Sequence, residues 1–336
     1  MKVLLLGASG LLGHNVLHCL MEEKHRAVVL VRRADAMRIE GDYEVRTGSL
    51  LDYPTLLAAA EGCDAIINCA GVTDMSLRRY EDYLPVNRDL CGMLARLLDE
   101  TGINILVHTS TVNTIGGLWS VEGGKCNVES GQWEDVPMCA PFTESWYARS
   151  KQEGEKLVLA AVTNGKQNTG GERHIVVVNP GFMLGPWDVK PSSGRMLLAA
   201  WRRPLMAAPR GGKSFVHVAD VAQALVNALT MGRNGHRYIA VNNSGNMTIK
   251  ELYQMQAEVM GYRQHIITMP NWPLAVAGAV GDLLRFLGIR TDVSTRNVRQ
   301  LMVREHYRAD NAIKELNMPQ TPIEVAIRQF HEWRNS

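Results

Sequence analysis

The chain has 336 residues, 46% of them hydrophobic, and sets 36 Lys and Arg against 34 Asp and Glu for a net charge of +2. That is enough apolar material for one large domain with a smaller companion. The balanced charge, with no basic block interleaved with aromatics, excludes a nucleic-acid binder.

From the N-terminus, MKVLLLGASGLLG opens with an apolar run that stops at Gly7, short of the roughly 7 to 15 residues of a signal-peptide core. It is read as a first strand. Further runs rich in Val, Ile and Leu follow at AVVLV (27–31), AIINCAG (65–71), ILVHTS (105–110) and HIVVVNP (174–180). Continuous apolar runs suit strands buried on both faces of a parallel sheet. Between them, GLLGHNVLHCLMEEKH, LDYPTLLAAAEG and VNRDLCGMLARLLDETG repeat apolar residues at three-to-four spacing and close on Gly or charge, which predicts helices. The expected fold is therefore α/β, a Rossmann-type doubly wound parallel sheet.

After about residue 181 the pattern turns irregular and richer in Pro, Trp and Arg, then FVHVADVAQALVNALTMG and HRYIAVNN supply another helix and strand. The expected organisation is a dinucleotide-binding domain of residues 1–181 plus about 214–245, and a smaller, mostly helical C-terminal substrate-binding cap of about 182–213 plus 246–336. PLAVAGAVGDLLRFLG (273–288) contains Asp282 and Arg285 and is too short for a span of about 20 residues. An amphipathic helix packed on the domain is expected there, and membrane contact is not. The six cysteines (Cys19, Cys63, Cys69, Cys91, Cys126, Cys139) show no C-x-x-C pair and no ligand-like clustering, so reduced thiols, no metal and a cytoplasmic protein are expected.

Four stretches carry chemistry. GASGLLG places Gly7, Gly10 and Gly13 between a strand and a helix: the first allows a tight turn, the second admits a pyrophosphate, and the third lets helix and strand pack closely. About 20 residues on, where an NAD enzyme keeps an acid for the ribose 2′-hydroxyl, stand Arg32 and Arg33. They suit a 2′-phosphate and hence NADP(H); otherwise they are a solvated pair, with Arg38 a further phosphate partner. HTST places Thr109, Ser110 and Thr111 at the C-terminal edge of the sheet, and SWYARSK sets Tyr147 four residues before Lys151, on one helix face.

In this order the motifs resemble an extended short-chain dehydrogenase/reductase, of the NAD-dependent epimerase/dehydratase superfamily, and most of all the dihydroflavonol-4-reductase group. The resemblance runs nearly end to end, through GASGLLG, NCAG, VNRDLCG, HTST, YARSK, VNPGFMLGP, FVHVADVAQA and HYRADNAIKELNMPQTP. It implies Thr111, Tyr147 and Lys151 as catalytic residues, with Asn87 near the nicotinamide. It implies a cofactor contact surface of Gly7, Ser9, Gly10, Leu11, Leu12, Gly13, Arg32, Arg33, Cys69, Ala70, Gly71, Thr109, Lys151, Pro180, Gly181 and Met183. Where the family has Gly-Asp near the adenine this chain has Gly48 and Ser49, so adenine contact there rests on Ser49 and Leu50.

A tyrosine ordinarily titrates near pH 10, and a Lys151 ammonium beside Tyr147 is expected to pull it down toward neutrality. The expected reaction is NADP(H)-dependent hydride transfer to a carbonyl of a small apolar or aromatic substrate, or the reverse on an alcohol. The long stretch between Thr111 and Tyr147, with Trp119, Trp133, Met138 and Trp146, is either a lid over that substrate or a surface excursion. The rival readings are an NDP-sugar epimerase or dehydratase, supported by the cluster Arg195, Arg202, Arg203, Arg210 and Lys213, a hydroxysteroid dehydrogenase-like enzyme, and a non-catalytic NADP(H) sensor. The resemblance also implies a homodimer built through helices of the sheet domain.

Overall fold

Six strands start the central sheet: β1 (Lys2–Leu6), β2 (Arg26–Val31), β3 (Tyr43–Thr47), β4 (Ala65–Asn68), β5 (Ile105–Thr109) and β6 (His174–Pro180). Three short strands, β7 (Phe182–Leu184), β8 (Leu205–Ala208) and β9 (Gly212–His217), lie outside it. The chain then returns as β10 (Arg237–Ala240), completing seven parallel strands in the order β10-β6-β5-β4-β1-β2-β3. The computed structural model describes residues 1–336 apart from 38, 117, 120–132, 165–171, 190 and 336. Arg38, Cys126, the side chains of Trp119 and Trp133 and the central part of the long stretch before Tyr147 lie outside the described residues.

The apolar runs form the central strands because both of their faces are covered. Val3 to Leu6, Ile66 and Val176 are all fully buried, in two cores on opposite sides of the sheet. β3 was absent from those runs for a physical reason. It is the edge strand, its sequence is YEVRT, and its residues are exposed or half-buried, so it carries no apolar signal. The order reverses between β1 and β4, and at such a switch point the carboxyl ends of the strands open a crevice for ligands.

Helices α1 (Leu11–Glu22), α2 (Tyr53–Ala60), α3 (Leu90–Thr101), α4 (Trp146–Asn164), α5 (Gly194–Ala200) and α6 (Val218–Asn227) follow. The Asp52 carboxylate caps α2 by accepting from the Thr55 amide at 3.1 Å, and Gly102 ends α3 in the left-handed region at φ 73°. Immediately before α3, Pro85–Asp89 forms a π turn, a widened turn that often marks a functional position.

Beyond the sheet, β11 (Asn246–Thr248) joins β9 and β7, and β12 (His265–Thr268) pairs with β8. Around them pack α7 (Ile249–Val259), α8 (Asn271–Phe286), α9 (Thr295–Arg299), α10 (Asp310–Glu315) and α11 (Ile323–Asn335). A third core of Leu197, Phe215, Leu252, Ile327 and Phe330 holds this part together. Among the described residues no helix is long and apolar enough to cross a membrane.

One expectation for this region does not hold: of the basic cluster, Lys213 is buried against Glu305 and Arg195 is paired with Asp292, so the five side chains do not converge on one site. Helix α8 packs on the domain as expected, but through Gly278 and Gly281, leaving Trp272, Val276, Val280, Leu283 and Phe286 exposed.

Candidate active site

β1 runs into the glycine loop, which turns where only glycine fits. Gly7 has φ 80°, and a Cβ on it would sit 2.6 Å from the Ala70 nitrogen and 2.7 Å from the Cys69 carbonyl carbon. A Cβ on Gly13 would lie 2.1 Å from the Gly7 oxygen, so this glycine lets α1 pack on the loop. Gly10 is different: it is exposed, the nearest atom to its missing Cβ is 3.5 Å away, and no side chain caps α1. The exposed Ser9 and the free amides of Leu11, Leu12 and Gly13 at this helix start form an open anion cradle.

At the end of β2, Arg32 is exposed and makes no hydrogen bond or ion pair among the described residues. Arg33 is committed, through a two-pronged contact to Asp35 at 2.9 and 2.6 Å. The 2′-phosphate reading thus narrows from two arginines to Arg32. Beside it, the Gly48 amide donates to the Val31 carbonyl at 2.9 Å, bringing exposed Ser49 and half-buried Leu50 next to the end of β2.

β4 ends at Asn68, whose Oδ1 accepts from the Ala70 amide at 3.0 Å and shapes the Cys69–Gly71 turn. That fixes the amide's orientation, so its Nδ2 donates to His108 Nδ1 at 3.1 Å, and burial holds this imidazole neutral, far below its ordinary pKa. Across the crevice, Thr109 donates to the Cys69 sulfur at 3.6 Å, and its carbonyl accepts from Lys151 Nζ at 2.6 Å. Ser110, between Thr109 and Thr111, is buried with its hydroxyl unpartnered.

Tyr147 and Lys151 share one face of α4, and the Thr111 hydroxyl hydrogen-bonds the Tyr147 oxygen. Burial pushes the Tyr147 phenol up to about 12, while the Thr111 hydrogen bond pulls the other way. The expected lowering by Lys151 is absent, because its ammonium is directed at the Thr109 carbonyl. Burial itself lowers the Lys151 pKa, with Cys91, Glu155 and Cys69 working upward.

Asn87, expected near the nicotinamide, lies within the π turn. Its Oδ1 accepts from the Val72 amide at 2.8 Å, and its Nδ2 donates to the Val72 carbonyl and to Ser150 Oγ, both at 3.0 Å. The side chain is fully buried and every polar atom is used. These bonds tie the loop after β4 to the helix that carries Tyr147 and Lys151.

Four residues of the site went unseen in the sequence. Asn179 Nδ2 donates to the Thr111 carbonyl (3.1 Å), to Thr114 Oγ1 (3.1 Å) and to Glu155 Oε2 (2.9 Å), and Arg237 donates to Glu155 Oε1 at 3.1 Å. This buried network fixes Thr111 against α4. One signal was available: Glu155 stands four residues after Lys151, a charge on the helix's inward face. Pro180 and Gly181 follow Asn179, where Gly181 lies so close to the Ser214 carbonyl (2.4 Å from a would-be Cβ) that no side chain fits; Met183 pairs with Val216 beyond them.

A pocket of about 660 Å³ opens at the N-terminal end of α4, walled by Trp146, Phe286, Arg78, Arg285, Arg296 and Asp282 among others. Tyr147 is the next residue in the chain but not part of this wall. The Arg296 guanidinium stacks 3.4 Å over the Trp146 ring, while Arg285 donates to the Met75, Leu77 and Thr291 carbonyls.

Residues 3–242 match the profile described as the NAD dependent epimerase/dehydratase family. The chain belongs to that family. It is 27% identical to a protein of Synechocystis sp. (strain ATCC 27184 / PCC 6803 / Kazusa) provisionally named a dihydroflavonol 4-reductase, over 97% of this chain and 92% of the relative. It is 25% identical to sterol demethylase protein B of Methylococcus capsulatus, over 99% and 98%. The solved structure of MoeE5 in complex with UDP-glucose and NAD shares the fold, with a TM-score of 0.75 at 20% identity over 100% and 99% of the two chains. Members of the epimerase/dehydratase family depend on a nicotinamide dinucleotide. The residues here fit one: an uncapped helix start over an open glycine for the pyrophosphate, and a cation beyond β2 for the adenosine side.

Proposed function

We propose that the protein is an NADP(H)-dependent reductase of a lipophilic carbonyl compound, with Tyr147 as proton donor. The observation that carries this reading is the Thr111–Tyr147–Lys151 arrangement: two hydroxyls in mutual contact at the sheet edge, with a buried ammonium one helical turn away. When bound, the reduced nicotinamide supplies a hydride to the carbonyl carbon. Tyr147 protonates the oxygen as negative charge develops on it, and Thr111 donates a second hydrogen bond to the same oxygen. Lys151 presents the positive charge of a buried ammonium toward the ribose side of the crevice, and the Asn179–Glu155 network holds Thr111 in register. Arg32, which has no carboxylate partner among the described residues, favours a 2′-phosphate and so NADP(H).

The substrate class is supported by relatives whose names specify a flavonoid and a sterol, and by Trp146 and Phe286 in a pocket whose other walls are largely charged. A sugar-nucleotide substrate draws on the Arg296 guanidinium over Trp146, which makes no ion pair among the described residues, and on a relative named as a dTDP-sugar reductase. Oxidation of NADPH measured against a panel of sterol, flavonoid and long-chain ketones decides between them. Turnover with that panel, and no stabilisation of the protein against heat by UDP- or dTDP-sugars, is expected; the reverse pattern overturns the assignment.

A further inference from the structure

Helix α8 is inverted relative to an ordinary surface helix. Its buried positions are Gly278 and Gly281. A Cβ on Gly278 would lie 2.8 Å from Val298 Cγ2, and one on Gly281 would lie 2.3 Å from the Val293 carbonyl oxygen, so the backbone packs directly on the segment that ends in α9. The large apolar residues face solvent instead: Trp272 is 69% exposed, Val276 55%, Val280 51%, Leu283 57% and Phe286 85%. At about 100° per residue these positions form one stripe along the helix. The helix's two charges lie off it, Asp282 accepting from the Thr295 amide at 3.2 Å and Arg285 donating to the Thr291 carbonyl at 2.8 Å.

The strand pair that leads into the N-terminal end of the stripe carries charge of one sign. β12 is paired with β8 and runs into α8 through Met269 and Pro270. The two chain segments that include these strands, 201–213 and 259–281, contain no Asp or Glu, and their Arg202, Arg203, Arg210 and Arg263 are exposed. In a two-fold pair a surface meets itself, so a second copy would offer these arginines no opposite charge. An anionic lipid surface satisfies both features, apolar side chains at the acyl boundary and guanidinium groups at the phosphates.

We propose that α8 docks this protein on anionic lipid membranes. The stripe lies in the plane of the headgroup–acyl boundary, with Arg203 and Arg263 at lipid phosphates. Its C-terminal end is Phe286, which also walls the pocket beside Trp146. The docked face therefore reaches the pocket at the N-terminal end of α4, which a lipophilic substrate would meet on leaving the bilayer.

The test is flotation of the full-length protein with vesicles of phosphatidylcholine alone and of phosphatidylcholine with phosphatidylglycerol. The protein is expected to float with the anionic vesicles, less so at high salt. Val276→Glu combined with Val280→Glu is expected to raise the lipid concentration for half-binding about tenfold or more. Arg203→Glu with Arg263→Glu is expected to abolish the preference for phosphatidylglycerol. Val276→Ser with Val280→Ser gives the same readout if the glutamates impair folding, which the melting midpoint monitors. No flotation, or flotation unchanged in the valine variants, overturns the proposal. So does a dimer that the valine variants split without any vesicle binding, which would assign the stripe to a second copy. Vesicle binding needs no turnover, so its failure is separable from failure of the reductase reading.

Discussion

Arg32 and Tyr147 illustrate what single residues reveal and conceal. The sequence places two arginines after β2, but only the structure shows that Arg33 is taken by Asp35 and Arg32 is not. Arg32→Ala is therefore expected to weaken NADPH binding about 10- to 100-fold, the worth of a charge-assisted phosphate contact, and to leave NADH nearly unchanged. Titration calorimetry with both nucleotides checks this. For Tyr147 the spacing to Lys151 was legible, while the direction of its pKa was not, because burial is a property of the packed site. A phenol raised to about 12 stays protonated throughout the neutral range. The donor form is the protonated one, so the reductive rate is expected to be flat between about pH 6 and 9. Alcohol oxidation needs the phenolate as acceptor and should rise with pH. A reductive rate that falls steadily across neutrality would assign the proton to a group other than Tyr147.

At the level of elements, the glycine loop and the inward face of α4 could be read because each rests on short-range spacing. The π turn at Pro85–Asp89 and the network around Glu155 could not, since their partners come from far along the chain. Glu155 joins Asn179 on β6 to Arg237 on β10, and through them sets the position of Thr111. Glu155→Gln keeps one acceptor but loses the ion pair with Arg237 in a buried setting, at a cost of about 2 to 4 kcal/mol in urea denaturation. A positioning role further predicts that kcat falls while NADPH affinity holds; equal loss in both would mean that the network only supports the fold. Helix α8 shows the opposite failure of sequence reading. Its composition signals an amphipathic helix, but composition does not say which face meets the protein, and close packing through Gly278 and Gly281 turned it outward.

Across the whole molecule, the doubly wound sheet was legible because its central strands are apolar on both faces, and the returning β10 because a helix and strand reappear after the irregular region. The edge strand β3 and the fate of the basic cluster were not, since each depends on what covers a residue in three dimensions. Lys213 is the clearest case: charged and placed in the cap, it reads as a ligand-binding cation, yet it is buried against Glu305 with its Nζ donating to the Gln300 carbonyl at 2.9 Å. What the fold assembles from distant segments is the Thr111 and Tyr147 hydroxyls beside the buried Lys151, the centre proposed for proton transfer. The most direct test of that centre is single-turnover oxidation of NADPH by Tyr147→Phe, alongside NADPH affinity measured on the same protein. Loss of about 10²- to 10⁴-fold in rate with unchanged affinity is the predicted result. Turnover at the wild-type rate would contradict the assignment of Tyr147 as the proton donor.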